Sequence, residues 1–349
     1  MIWYASLTFL CFLQNTLTLS NPRFYYRAAG FILIIAFSAL AGLRGLVGTD
    51  TWAYHSILRA IALGVQVPLE PGFVLLAKFF HSISDSVAMA VNLFSFLFFS
   101  IIAVYLFRST RAEAIYLVGY FGPQYFIFYS MNGLRIGLAS ATFLLALQCW
   151  KRNQRLLYIS LIGISISFHF TITLAIFVFF FFVKPLRGAK PIVLRIVASI
   201  FLLIAVYFLQ EYISEQSDIY SDVSRLSVVA GLSFLLKITL LMFFVWRIPL
   251  SKGELRSKFI ISMVILTICF AIALASYAGL RILDIMTWVI PLLFIYALDE
   301  RKYFGRNFAI GLTLVGLVGG LGILRNISDS VAVGFSPFLP YHFIWQIGL

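Results

Sequence analysis

Between Arg155 and Lys184 the chain runs without one Asp, Glu, Lys or Arg, and apolar runs of this kind, each closed by charge, recur from end to end. That punctuation leaves few folds open. A run long enough to cross hydrocarbon must satisfy its own backbone hydrogen bonds, which only helices and closed barrels do, and continuous rather than alternating apolar sequence selects helices. With 62% hydrophobic and 11% charged residues and a mean hydropathy of +1.00 over 349 residues, too few polar side chains exist to clothe a water-soluble surface. The expected fold is all-α and polytopic, a single membrane domain spanning 1–349.

The apolar runs place spans at 2–19, 28–43, 87–107, 114–131, 136–150, 156–168, 170–183, 192–209, 229–246, 259–277, 282–298 and 307–324, about twelve transmembrane helices. The bases of the intervening loops sort unevenly. Most fall at 23–27, 108–111, 151–155, 184–195, 247–258 and 301–306, while the alternate loops keep Arg44, Arg59, Lys78, Arg135, Arg225, Arg281 and Arg325. By the positive-inside rule the first set is cytoplasmic and both termini lie outside. The apolar segment from Met1 to Leu19 lacks a basic leader region and is expected to remain as the first span. A net charge of +13 without a basic stripe argues for topology rather than nucleic acid. Cys11, Cys149 and Cys269 each stand alone in apolar sequence, so neither a disulfide framework nor a metal site follows.

Residues 44–86 form the longest interruption, on the outer side. The sequence predicts two short interfacial or re-entrant helices there: one capped by Thr49 and ending near Gly64, with Ala53, Ile57, Ala60 and Ile61 as its apolar stripe, and one starting at Glu70-Pro71. Asp50 and Tyr54 share a face at i, i+4. A second outer stretch, 210–226, is a short acidic loop, and Asn132-Gly133, His169 and the Pro340-Tyr341 tail interrupt later apolar runs on that side.

Three solitary arginines, Arg44, Arg135 and Arg281, stand at span mouths against the charge trend. A guanidinium in apolar surroundings needs an anion, and its forked donors match a diphosphate. Asp50 is either a helix cap, a base for a hydroxyl or a clamp that orients an arginine, Glu70 carries the same readings, and His169 is either a packing residue, a base or a phosphate hydrogen-bond donor. No His-x-x-x-His, Cys-x-x-Cys or Asp-x-Asp occurs, and no Gly-x-x-x-x-Gly-Lys-[Ser/Thr], so the expected chemistry uses neither a metal nor ATP and no cofactor. The glycine-rich run 311–322 fits close helix packing.

Arg44-Gly-Leu-Val-Gly-Thr-Asp-Thr-Trp-Ala-Tyr54, followed by Glu70-Pro71-Gly72-Phe73, Asn132-Gly133-Leu134-Arg135, Ser167-Phe168-His169, Gly279-Leu280-Arg281 and the Pro340-Tyr341 tail, resembles in order and spacing the EpsG/Wzy group of bacterial polysaccharide polymerases. The resemblance implies a glycosyltransferase in the bacterial inner membrane, its active site facing the periplasm, joining oligosaccharide repeat units carried on undecaprenyl diphosphate. It implies Arg135, Arg281, His169 and Asp50 as catalytic candidates, with Arg44, Tyr54, Glu70, Asn132 and Tyr341 on the substrate. Membrane lipids and a chain-length regulator protein are the implied partners. A flippase or exporter of the same lipid-linked oligosaccharide and an O-antigen ligase are the competing readings.

Overall fold

A computed structural model describes residues 1–21, 25–84, 86–182, 228–247, 254–275, 277–297, 305–332 and 338–346. The expected span 192–209 and the loop 210–226 fall outside the described residues. Where the chain is described it is helical, in the positions that the apolar runs predict: α1 Ile2–Ser20, α2 Tyr26–Gly42, α3 Thr51–Ala62, α4 Pro71–Ile83, α5 Val87–Arg108, α6 Arg111–Ile115, α7 Gly122–Met131, α8 Leu134–Lys151, α9 Arg155–Phe168, α10 Ile172–Phe182, α11 Val228–Trp246, α12 Glu254–Ala275, α13 Tyr277–Ala297 and α14 Arg306–Ala332. Among the described residues three stretches, Val87–Arg108, Gly279–Tyr296 and Arg306–Ser328, are long and apolar enough to cross a membrane by length and composition.

The chain divides into two compact units, Met1–Phe170 with Gly316–Leu349, and Thr171–Val315. In the second, α13 packs against α10, α11 and α12, with Phe179 and Tyr296 edge to face at 5.8 Å. Lys237 of α11 lies 4.3 Å from the Phe234 ring centre and within electrostatic reach of Asp284 on α13, so the two charges expected inside spans face one another.

In the first unit, α5 and α8 form the centre, with α2, α7 and α9 around them. The expected span 114–131 is not one regular helix. Residues Tyr116–Phe121 make a π-helical turn, and the Gly122 N–H donates to the Leu117 carbonyl five residues back. Pro123 follows at once and has no N–H to give to the regular ladder, so widening the turn before it keeps the backbone paired. The glycine-rich run does pack closely. A side chain on Gly316 would strike the Gly119 carbonyl and come within 2.8 Å of the Tyr120 Cα, while Gly320 sits against Thr8 and Pro123.

The two ends of this unit differ in chemistry. At one end Arg27 donates to the Ser109 carbonyl at 2.8 Å, Arg111 donates to the Thr18 carbonyl, and Arg152 donates to the Arg108 carbonyl at 2.7 Å. A capping box formed by Thr110 and Glu113 starts α6 there, and the buried Glu113 meets Lys151 at 3.5 Å and Gln148 at 3.3 Å. The other end collects the C-termini of α2, α7 and α9, the N-termini of α5 and α8, and the helices α3 and α4. Within this unit each end therefore gathers loops of one of the two predicted sets.

Candidate active site

The geometry at the second end begins with a glycine. Glu70 is extended and precedes Pro71, whose fixed φ suits the first helical position of α4. Gly72 then lies directly on Ser167 near the end of α9, so tightly that a Cβ there would strike the Ser167 hydroxyl and approach its carbonyl to 2.8 Å. This contact delivers the N-cap residue Glu70 to His169, which is extended at the C-cap of α9.

Glu70 is the hub. One carboxylate oxygen is 2.6 Å from Arg135 Nη1, the other 2.5 Å from His169 Nδ1. The Glu70 side chain is 5% exposed, that of His169 11% and that of Arg135 20%, so the carboxylate is enclosed while the two cation-forming groups are more accessible. Burial alone would raise the Glu70 carboxyl, but the His169 hydrogen bond, the imidazole charge and the Arg135 guanidinium outweigh it and hold it at about 2. Arg135 has an electrostatic reason to need this partner, because it sits in the first turn of α8, where the helix dipole is positive. Tyr54 hydrogen-bonds Arg135 from α3, its ring 5.9 Å from Phe73. Asp50 acts on Tyr54 electrostatically and is half-buried.

The wall beside this cluster is built on Arg44, which is wholly buried. Its Nη1 donates to the Ala41 carbonyl at 2.5 Å, Ser95 Oγ at 2.7 Å and the Ser130 carbonyl at 3.1 Å, and Nη2 donates to the Met131 carbonyl at 3.3 Å. These carbonyls end α2 and α7, and the last turn of a helix leaves such groups without intrahelical donors. One guanidinium thus satisfies two helix C-termini and their dipoles. Burial lowers the group to about 10, opposed by Tyr341, Tyr4 and Tyr54, so it remains charged at neutral pH.

On the far side of Arg44 the C-terminal tail runs antiparallel across it. The Gly45 N–H donates to the His342 carbonyl at 2.8 Å and the Ile344 N–H to the Leu43 carbonyl at 2.9 Å. Tyr341 belongs to this strap: its hydroxyl donates to the Leu40 carbonyl, and burial raises it to about 12 against the pull of Arg44. Asn132 fixes the opposite margin, its Oδ1 accepting the Thr49 N–H at 3.0 Å. Gly48 passes over that amide with φ +118, a conformation open to glycine.

The structure therefore brings Glu70, Arg135, His169 and Tyr54 together, with Asp50 close by, and sets Arg44, Asn132 and Tyr341 into the adjoining wall. Arg281 lies on α13 in the second unit, on an exposed position. Two local expectations are corrected. The helix over 51–62 is not capped by Thr49: Asp50 is its N-cap, without a side-chain capping bond. Its inward face is Thr51, Tyr54, His55, Leu58 and Ile61, while Ala53 is exposed, because the helix turns its tyrosine toward Arg135 rather than its alanines toward the core. Sequence reasoning missed Asn92, which donates to the Arg44 carbonyl at 2.8 Å, and Ser95. The signal was present as two polar residues about one turn apart, near the outer end of a largely apolar span. Among the described residues no three His, Cys, Asp or Glu side chains gather as metal ligands.

The sequence profile of the EpsG family matches residues 27–343. The chain belongs to the EpsG family. The EpsG match takes in every one of these site residues and leaves the whole of α1 outside it. EpsG is the EpsG/Wzy-type polysaccharide polymerase family, and the apolar helices agree with its membrane character. No curated protein and no solved structure matches this EpsG chain.

Proposed function

We propose that this EpsG-family protein is a metal-independent glycosyltransferase that lengthens a polysaccharide at the periplasmic face of the bacterial inner membrane, using oligosaccharides linked to undecaprenyl diphosphate. The single observation that carries the reading is the enclosed Glu70 carboxylate held between His169 and Arg135 at the end of the unit remote from its basic cluster. In the proposed topology of about twelve spans with both termini periplasmic, that end is the outer one.

An acceptor sugar hydroxyl donates its proton to His169 Nε2 while its oxygen attacks the anomeric carbon of the donor sugar. A glycosidic C–O bond forms, the C–O bond to the diphosphate breaks, and the lipid diphosphate departs with the electron pair. Glu70 at Nδ1 fixes the imidazole and stabilises its protonated form, as a carboxylate does in other His-based sites. Arg135 meets the negative charge that develops on the leaving diphosphate, with Arg281 as the second cation of the reading. Tyr54, Asp50 and Asn132 border the acceptor side in this scheme. Arg44 and Tyr341 act through the wall, by holding the helix ends that carry the site.

The test is purified protein in nanodiscs supplied with lipid-linked repeat units, followed by gel analysis of chain length. Chain growth that disappears in Arg135→Ala and Arg281→Ala, both present in the membrane at wild-type levels, is the expected result. Transbilayer movement of the substrate without any lengthening supports an exporter and sinks the reading, and transfer solely to an added lipid A core acceptor supports a ligase.

A further inference from the structure

At the opposite end of the first unit lies a groove of about 510 Å³ that the polymerase reading does not use. Its floor is apolar: Phe31 of α2 and Ala103, Val104 and Phe107 of α5, with Phe107 66% exposed and Val104 46% exposed. Its rim is cationic, made by Arg108 at the end of α5 and Arg152 just beyond α8, with Gln154 beside them.

The two guanidiniums are held in place by the protein rather than neutralised by it. Arg108 Nη2 donates to Gln154 Oε1 at 2.7 Å, and Arg152 Nη2 donates to the Arg108 carbonyl at 2.7 Å, both neutral acceptors. Arg108 Nε is buried and has no hydrogen-bond partner among the described residues. No Asp or Glu lines the groove, and the acid of this end among the described residues, Glu113, is taken by Lys151 and Gln148. The turn that presents Arg152 is set by Asn153, at φ 58, and by the Gln154 N–H donating to the Cys149 carbonyl at 2.9 Å, a closed helix end rather than a loose loop.

A ligand that fits must bring an anion to the rim and hydrocarbon to the floor at once. We propose that this groove is a binding site for one anionic phospholipid, whose phosphodiester lies between Arg108 and Arg152 and whose acyl chain runs over Phe107, Val104 and Phe31. Forked guanidinium donors suit phosphate oxygens, and a floor of exposed phenylalanine and valine has no use for a water-soluble anion. A lipid seated here clamps α2, α5 and the α8–α9 turn from outside. The site is independent of the catalytic scheme, and neither stands or falls with the other.

Native mass spectrometry of the intact protein released from nanodiscs of mixed phosphatidylglycerol and phosphatidylcholine reads the site directly. The expected result is one retained phosphatidylglycerol per chain. With roughly fivefold preference contributed by each surface base, the double variant Arg108→Gln/Arg152→Gln loses about twenty-five-fold in selectivity. The single variant Arg152→Gln, at an exposed position, loses its share without touching the buried Nε. Arg59→Gln removes the same charge from α3 at the other end and retains the lipid. Inorganic phosphate at millimolar concentration leaves the bound lipid in place. Equal retention of both lipids, equal loss in Arg59→Gln, or displacement by inorganic phosphate each overturns the proposal, the last by assigning the rim to a free anion.

Discussion

Replacing Glu70 by Gln keeps the shape of the side chain and removes its charge, which isolates what the carboxylate contributes. In the folded protein this group is lowered from its ordinary 4.5 to about 2, a difference equivalent to about 3 kcal/mol at neutral pH. The sign follows from the direction. A depressed carboxyl contributes its stability above the unfolded value and loses it as the pH falls through about 2, so above about pH 5 Glu70→Gln forfeits the pairing with Arg135 throughout, and the charge pairing with His169 wherever the imidazole is protonated. That magnitude agrees with the roughly 3–5 kcal/mol typical of breaking one side of an enclosed ion pair. Two consequences are expected in purified protein: a lower thermal midpoint, and polymer formation slower by roughly 10²–10⁴-fold, since the imidazole loses the negative charge that stabilises its protonated form. Glu70→Asp, which keeps the charge on a shorter arm, retains part of the activity. The double variant Glu70→Gln/Arg135→Gln is expected to be no worse than the poorer single one, because the two residues act as one unit. Wild-type polymer from Glu70→Gln, or strictly additive losses in the double variant, refutes the hub.

Arg44→Gln should fail differently from Arg135→Gln: it strands the carbonyls of Ala41 and Met131 and leaves that of Ser130 to Ser95 Oγ alone, so immunoblots of membranes should show severalfold less protein, at a cost of about 3–5 kcal/mol, whereas Arg135→Gln, which leaves Glu70 its bond to His169, loses polymer out of proportion to any loss of protein. Gly72→Ala pushes α4 off Ser167 and is expected to lower the rate by at least tenfold through a displaced Glu70; Ser167→Ala in the same chain relieves the hydroxyl but not the carbonyl, so recovery is partial, and full activity of Gly72→Ala alone contradicts the close approach. The three native thiols are buried, so single cysteines report sidedness cleanly: Trp52→Cys on α3 should react with an impermeant maleimide from the periplasmic side and Arg155→Cys at the start of α9 solely from the cytoplasmic side, and the reverse pattern inverts the proposed topology.

Much of this was legible in the residues because the bilayer leaves little choice. Apolar runs bounded by charge predicted α1, α2, α5 and α8–α11 nearly to their ends, whereas α12 and α13 start about a turn earlier and α14 runs about two turns further than expected, and Glu70-Pro71 marked the start of α4. The widened turn at Tyr116–Phe121 was not legible, since its cause, a proline at 123, is as compatible with a kink or a helix start as with a π turn. The start of α3 was misplaced because Thr49 and Asp50 are both good caps in isolation, and the choice was made by Asn132, 83 residues away, taking the Thr49 N–H. Glu70 was singled out, but its joint grip on Arg135 and His169 spans separations of 65 and 99 residues, and local pattern does not fix such pairings.

The sharpest division concerns two arginines that look identical in sequence. Arg44 lies at two helix C-termini, where carbonyls and dipoles already favour a cation, so the fold itself is its counter-charge. Arg135 lies at a helix N-terminus, where the dipole disfavours it, and it keeps its place because Glu70 is there. An arginine of the first kind has little to offer an incoming anion. One of the second kind is held by an anion that another anion can join or replace, and a diphosphate carries more charge than one carboxylate. In the proposed reaction the arrival of the lipid diphosphate draws Arg135 toward the substrate while Glu70 keeps its hydrogen bond to His169 Nδ1. Charge recognition of the donor and orientation of the base then run through the same carboxylate. Binding of the lipid diphosphate alone should therefore weaken in Arg135→Gln and survive in His169→Gln, whereas chain growth should be lost in both. Loss of donor binding in His169→Gln would show instead that the imidazole, not the guanidinium, receives the phosphates.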